Sequence, residues 1–145
     1  MKKLILIVDD DRMFCFMLAR RLSFEGYTCL TANTGREALR FVEETDLSLI
    51  ISDIRMPEMS GLELFREIRQ LRPNLPVIVI TGNTGMDIAA EAMRLGTYEV
   101  IIKPFEMDQV LLTVKRSLEK STLEEEISSR QQNLEKPLQG SAIGD

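Results

Sequence analysis

Five residues whose side chains can do chemistry stand at the ends of short apolar runs. Asp9 and Asp10 follow Leu4 to Val8, Asp53 follows Leu47 to Ser52, Thr81 follows Val77 to Ile80, and Lys103 follows Glu99 to Ile102. If the runs lie side by side, three carboxylates, a hydroxyl and an ammonium meet at one edge. Two carboxylates about 4 Å apart repel by roughly 4 kcal/mol at an effective dielectric near 20, so an unrelieved triad raises at least one pKa. A divalent cation removes the conflict, and an all-oxygen ligand set open to water suits Mg²⁺. A hard cation, an exposed carboxylate, a lysine and a hydroxyl together suit a phosphoryl group in transfer. Asp53, alone at its strand end, is the candidate nucleophile, and an aspartyl phosphate its covalent product.

Taken singly, each of these residues has an ordinary explanation. Asp53 and Thr81 are common turn residues and Lys103 a common solvated charge; Asp11 reads as a helix cap. The functional reading rests on all of them reaching one edge.

Composition narrows the chemistry further. The chain of 145 residues has no histidine, which removes Ser-His-Asp and Cys-His pairs and every His-ligated metal site. Cys15 and Cys29 form no C-x-x-C pair and read as buried, reduced thiols suited to a cytoplasmic setting. The net charge of -5 is uneven: six acids against three bases in residues 119–145 account for -3. A nearly neutral body argues against direct nucleic-acid binding. The apolar run after Lys2 and Lys3 is too short for a signal peptide or a membrane span.

The elements that must position the five residues alternate strand with helix. Strands are expected at Leu4 to Val8, Tyr27 to Ala32, Leu47 to Ser52, Val77 to Ile80 and Glu99 to Ile102. Between and after them, helical spacing puts Phe14, Leu18 and Leu22 on one face, then Ala38, Leu39 and Val42, then Leu62, Phe65 and Ile68 after the Met56-Pro57 turn. Ile88, Ala89, Ala92 and Met93 stripe a fourth helix, and Val110, Leu111, Val114 and Leu118 a fifth. Five such units with unbroken apolar strands specify an α/β fold: a doubly wound, flavodoxin-like, five-stranded parallel sheet of order 2-1-3-4-5, with helices on both faces. Ligands in such sheets bind beyond the carboxyl ends of the strands, where the order reverses.

Residues 1–120 form this domain, and 121–145 read as an acidic helical linker and flexible tail. Leu123, Ile127 and Leu134 keep a helical spacing out of phase with Leu118, so either a new helix starts at the Thr122 capping box or the fifth runs on. Pro137, Gly140 and Gly144 make the last nine residues poor candidates for order.

The chain resembles the receiver domain of bacterial two-component response regulators. The resemblance is carried by Ile5-Leu6-Ile7-Val8-Asp9-Asp10-Asp11, Asp53-Ile54-Arg55-Met56-Pro57-Glu58-Met59-Ser60-Gly61, Thr81-Gly82 and Lys103-Pro104-Phe105, in order, over residues 3 to about 120. It implies a signalling receiver in which Asp53 takes a phosphoryl group from a histidine of a sensor kinase or phosphotransfer protein. Mg²⁺ is then held by Asp9, Asp10, Asp53 and the Arg55 carbonyl, Thr81 and Lys103 bind the phosphoryl oxygens, and the Lys103-Pro104 bond is cis. The resemblance implies no enzyme beyond catalysis of its own phosphorylation and dephosphorylation. Phosphorylation would remodel the face made by helix four, strand five and helix five and promote a homodimer through helices four and five or the tail. The segment from Thr81 to Glu99 is similar to receivers of enhancer-binding transcription activators, so an output domain is expected beyond residue 145.

One position departs from the family. Three residues before the lysine of strand five an aromatic is usual, and here stands Val100; Tyr98 is two residues away. That departure favours the alternative of an interaction module that works without phosphorylation. A phosphohydrolase of the haloacid dehalogenase type needs a second aspartate where Arg55 stands, and no glycine-rich nucleotide loop is present.

Overall fold

The computed structural model describes residues 3–56, 58–82, 86–96 and 99–142; the side chains of Met86, Ile88, Ala89, 124–126 and 128–142 lie outside the described set. The strands are β1 (Leu4–Val8), β2 (Thr28–Ala32), β3 (Leu49–Asp53), β4 (Val77–Thr81) and β5 (Glu99–Ile102). The helices are α1 (Arg12–Phe24), α2 (Gly35–Glu44), α3 (Gly61–Leu71), α4 (Met86–Arg94) and α5 (Met107–Ala142). All four strand pairings are parallel and the order is β2-β1-β3-β4-β5. Asp53 and Thr81 are the last residues of their strands rather than the first beyond them.

Because side chains alternate across a strand, the apolar runs feed two cores. Leu6, Val8, Ile50, Val77 and Val79 pack with residues of α2, α3 and α4. Ile5, Ile7, Leu49, Ile51, Ile78 and Ile80 pack with α1 and α5. Burial on both faces explains why the strands are apolar without a break.

Three helices start on side-chain caps aimed at the third backbone N–H of the helix: Asp11 for α1, Thr34 for α2 and Ser60 for α3. Such a cap is worth about 1 kcal/mol. Gly26 ends α1 with φ of +93°, a conformation that side chains with a Cβ rarely adopt.

The buried helix faces differ from the expected ones at three places. In α3 the core side chains are Leu64, Phe65 and Ile68, with Leu62 only partly buried, because Gly61 is pressed onto the end of β3 and fixes the inward face as 61, 64, 65 and 68. In α4, Ala92 is buried but Met93, one step of 100° round the helix, is 49% exposed. In α1, Cys15, Leu18 and Leu22 are buried and Phe14 half-buried. Cys15 is buried and Cys29 half-buried, both unpaired.

Beyond Leu118 the fifth helix runs on without a new start, to Ala142. A helix already nucleated adds one backbone bond per residue fixed, so extension is favoured over a fresh start at Thr122. Among the described residues no helix is long and apolar enough to cross a membrane.

Candidate functional site

The carboxyl ends of β1, β3, β4 and β5 bring the predicted residues to one edge. Asp9, directly after β1, is 2% exposed. Its Oδ1 accepts the Asp11 N–H at 2.9 Å, while Oδ2 is buried without a hydrogen-bond partner. Asp10 beside it is exposed. One carboxylate oxygen from each of Asp9, Asp10 and Asp53 lies within 4.8 Å of the others. Asp53 Oδ1 accepts the Arg55 N–H at 3.2 Å, and Oδ2 is 3.8 Å from Lys103 Nζ.

Thr81 is 1% exposed and its hydroxyl donates to the Gly82 carbonyl at 3.1 Å. The Lys103 N–H donates to the Thr81 carbonyl at 2.8 Å, which ties the ends of β4 and β5, and the Lys103-Pro104 bond is cis as expected. Asn83, Tyr98 and Pro57 lie outside the described residues.

The loop after Asp53 is held from two sides. Ile54 N–H donates to the Ile80 carbonyl at 3.2 Å, and the Ile54 carbonyl accepts the Gly61 N–H at 2.8 Å. Ser52 Oγ donates to the Asp53 carbonyl at 2.9 Å. The carboxylate of Asp53 is thus presented from a fixed backbone.

Burial pushes the Asp9 carboxyl up to about 6, and the Asp53 charge adds to the shift; the Asp11 N–H and Lys103 act the other way. A buried carboxylate with one oxygen unpartnered, beside two further carboxylates, is a site short of positive charge. That arrangement fits an oxygen-ligated divalent cation.

Sequence reasoning missed two contributors. Asn33 Nδ2 donates to the Asp9 carbonyl at 2.9 Å, with the Cys15 thiol donating to the same oxygen at 3.4 Å. Asn33 directly follows β2, so the strand-end rule that found Asp9 would have found it. Phe14 was expected in the core face of α1, yet the Lys103 ammonium stands over its ring, 5.6 Å from the centroid. No periodicity signals that contact.

Comparison with known proteins decides the family: the model of the response regulator receiver domain matches residues 5–115. The chain belongs to that family. The receiver is 39% identical over 121 residues to the transcriptional regulatory protein ZraR of Klebsiella oxytoca, covering 83% of this chain and 27% of that protein. Among solved structures, a CheY-like receiver domain protein from Methanospirillum hungatei superposes with a TM-score of 0.82 at 32% identity, covering 86% of this chain and 99% of that one. NtrX from Brucella abortus gives 0.84 at 36% identity, covering 89% and 29%. The receiver therefore spans about a quarter of the length of the curated relatives it matches. At the position where the family usually has an aromatic, Val100 is half-buried, paired with Val79 and packed on the core beneath α2, α3 and α4.

Proposed function

We propose that this receiver is switched by phosphorylation of Asp53 by a partner phosphohistidine, in a cytoplasmic two-component relay. The observation that carries the reading is the meeting of Asp9, Asp10 and Asp53 oxygens within 4.8 Å, with Lys103 beside Asp53 and Asp9 Oδ2 unpartnered. The residues to hold Mg²⁺ are Asp9, Asp10, Asp53 and the Arg55 carbonyl. When bound, the ion supplies charge neutralisation for the triad and for a phosphoryl group in transit.

The rest falls to the chain itself. An Asp53 carboxylate oxygen attacks phosphorus, the bond from phosphorus to the donor imidazole breaks, and an acyl phosphate forms. Lys103 donates to a phosphoryl oxygen, offsetting developing charge. The Thr81 hydroxyl, now donating to the Gly82 carbonyl, turns to the phosphoryl group. Because the Lys103 N–H is bonded to the Thr81 carbonyl, movement of one strand end is passed to the other.

Two apolar surfaces suit partners. Met13, Phe16 and Met17 on α1, beside Asp10, are 57–66% exposed and offer a docking face to the phosphodonor, a sensor kinase or a phosphotransfer protein. Met93, Leu95, Ile102 and Leu112 on α4, the turn after it, β5 and α5 are 38–56% exposed and form an output face, for a second copy or for an output domain such as a transcription activator carries. Val100 favours one competing reading, an interaction module that needs no phosphorylation.

Incubation with Mg²⁺ and a small phosphodonor separates the two. Phosphorylation predicts a mass gain of one phosphoryl group that is abolished by Asp53→Asn. No gain, or a gain that survives Asp53→Asn, overturns the reading and leaves the interaction module.

A further inference from the structure

Lys103 has two neighbours of different kinds. Its Nζ is 3.8 Å from Asp53 Oδ2 and stands over the Phe14 ring at 5.6 Å from the centroid. The latter is inside the range of about 6 Å in which a ring quadrupole attracts an ammonium. Lys103 is 42% exposed along its side chain, so the four-carbon stem is not fixed by packing alone, and an ammonium on such a stem is mobile unless something holds it.

Phe14 is itself held. Its backbone N–H is the one capped by the Asp11 carboxylate at 3.1 Å, which fixes the start of α1. Its ring packs edge to face with Phe105, centroids 6.1 Å apart at 72°. Phe105 lies two residues after Lys103, on the far side of the cis Lys103-Pro104 bond. Both rings are half-buried against the core made with α1 and α5.

We propose that Phe14 is a positioning residue of the phosphoryl-transfer site: its ring, braced by Phe105, seats the Lys103 ammonium beside Asp53. The proposal rests on the phosphoacceptor reading of Asp53. An aliphatic side chain at position 14 would lack this ability, since the attraction comes from the face of the ring and not from its bulk.

The test uses the full chain and a small phosphodonor with Mg²⁺, so docking of a protein partner does not enter. Phe14→Leu is expected to slow phosphorylation of Asp53 about two- to fivefold, the span of an exposed cation–π contact, and Phe14→Tyr to restore it. In a double-mutant cycle with Lys103→Met, the loss from Phe14→Leu should vanish once the ammonium is gone. Independently of activity, the Lys103 side-chain methylene protons should show a ring-current shift in NMR that Phe14→Leu removes. Phenylalanines of increasing fluorination at position 14 should lower the rate stepwise at constant unfolding midpoint.

No ring-current shift, equal loss with and without the ammonium, or a flat fluorination series overturns the proposal while phosphorylation of the unsubstituted chain stands. If the unsubstituted chain takes up no phosphoryl group, the phosphoacceptor reading itself has failed.

Discussion

Gly61 and Ile54 approach more closely than any residue with a side chain could allow at position 61. A Cβ on Gly61 would lie 2.5 Å from Ile54 Cα, 2.8 Å from the Ile54 carbonyl oxygen and 2.9 Å from that of Asp53. All three are backbone atoms, so no rotamer change relieves the clash. Gly61→Ala must push α3 away from the end of β3 and stretch the Gly61 N–H bond to the Ile54 carbonyl. The expected cost is about 1–3 kcal/mol, as for overpacking in a core, with slower phosphorylation because the Asp53 backbone moves. Urea unfolding and the rate of mass gain with a phosphodonor check the two effects.

Asp9 sets a pH dependence opposite in sign to that of a salt-bridged carboxylate. Its folded pKa is raised from 3.8 to about 6, by burial first, so between those values the folded chain binds more protons than the unfolded one. Stability without metal should therefore fall as pH rises from about 4 to about 6, at up to about 1.4 kcal/mol per pH unit from this group. Saturating Mg²⁺ should raise stability at pH 7, by about 2.7 kcal/mol when its concentration is a hundred times Kd. Removing it with a chelator should restore the metal-free curve. Urea unfolding across pH, with Mg²⁺ and with chelator, measures this in the unsubstituted chain and in Asp9→Asn; a metal-free pH dependence that is the same in both would contradict the assignment to Asp9.

Asn33→Ala should act through the backbone of Asp9. The substitution removes the 2.9 Å donor to the Asp9 carbonyl and leaves the longer, weaker thiol contact from Cys15. A loss of about 1–2 kcal/mol is expected for an under-satisfied buried acceptor. Mg²⁺ stabilisation should shrink too, because Asp9 is then less firmly placed. Comparing unfolding midpoints of the two proteins with and without Mg²⁺ tests both parts.

The fold was legible because burial on both faces writes strands as unbroken apolar runs, and the polar residues that end them are conspicuous for the same reason. Asp9, Asp10, Asp53, Thr81 and Lys103 all surfaced that way. Features set by tertiary contact were not legible. The inward face of α3 is turned by the Gly61 contact with Ile54, which moves Leu64 into the core and Leu62 to its margin. Phe14 has the right spacing for the core of α1, but its position in the first turn brings it under Lys103. The continuity of α5 past Leu118 fits propagation from a helix already formed, whereas the phase slip between Leu118 and Leu123 left a fresh start at Thr122 equally open in the sequence.

The two thiols give a last test, of burial rather than chemistry. Burial is the leading cause that pushes both Cys15 and Cys29 from 9.0 up to about 11, and the Asp9 and Asp11 charges add to it at Cys15. Since the thiolate is the reactive form, two pKa units lower its population about a hundredfold at a pH near 8. Alkylation of the folded protein should be slower than that of the urea-unfolded chain by at least about that factor, and slower at Cys15, which is 2% exposed, than at half-buried Cys29. Mg²⁺ held by Asp9, Asp10 and Asp53 would neutralise the carboxylates beside Cys15 and would have no counterpart at Cys29. Added Mg²⁺ should therefore raise the thiolate population at Cys15 and speed its labelling in the folded state, and leave Cys29 unchanged. Peptide-level mass spectrometry after timed alkylation reads both residues at once; rapid labelling of Cys15 in the folded state would show that the β1 edge opens far more often than its packing allows.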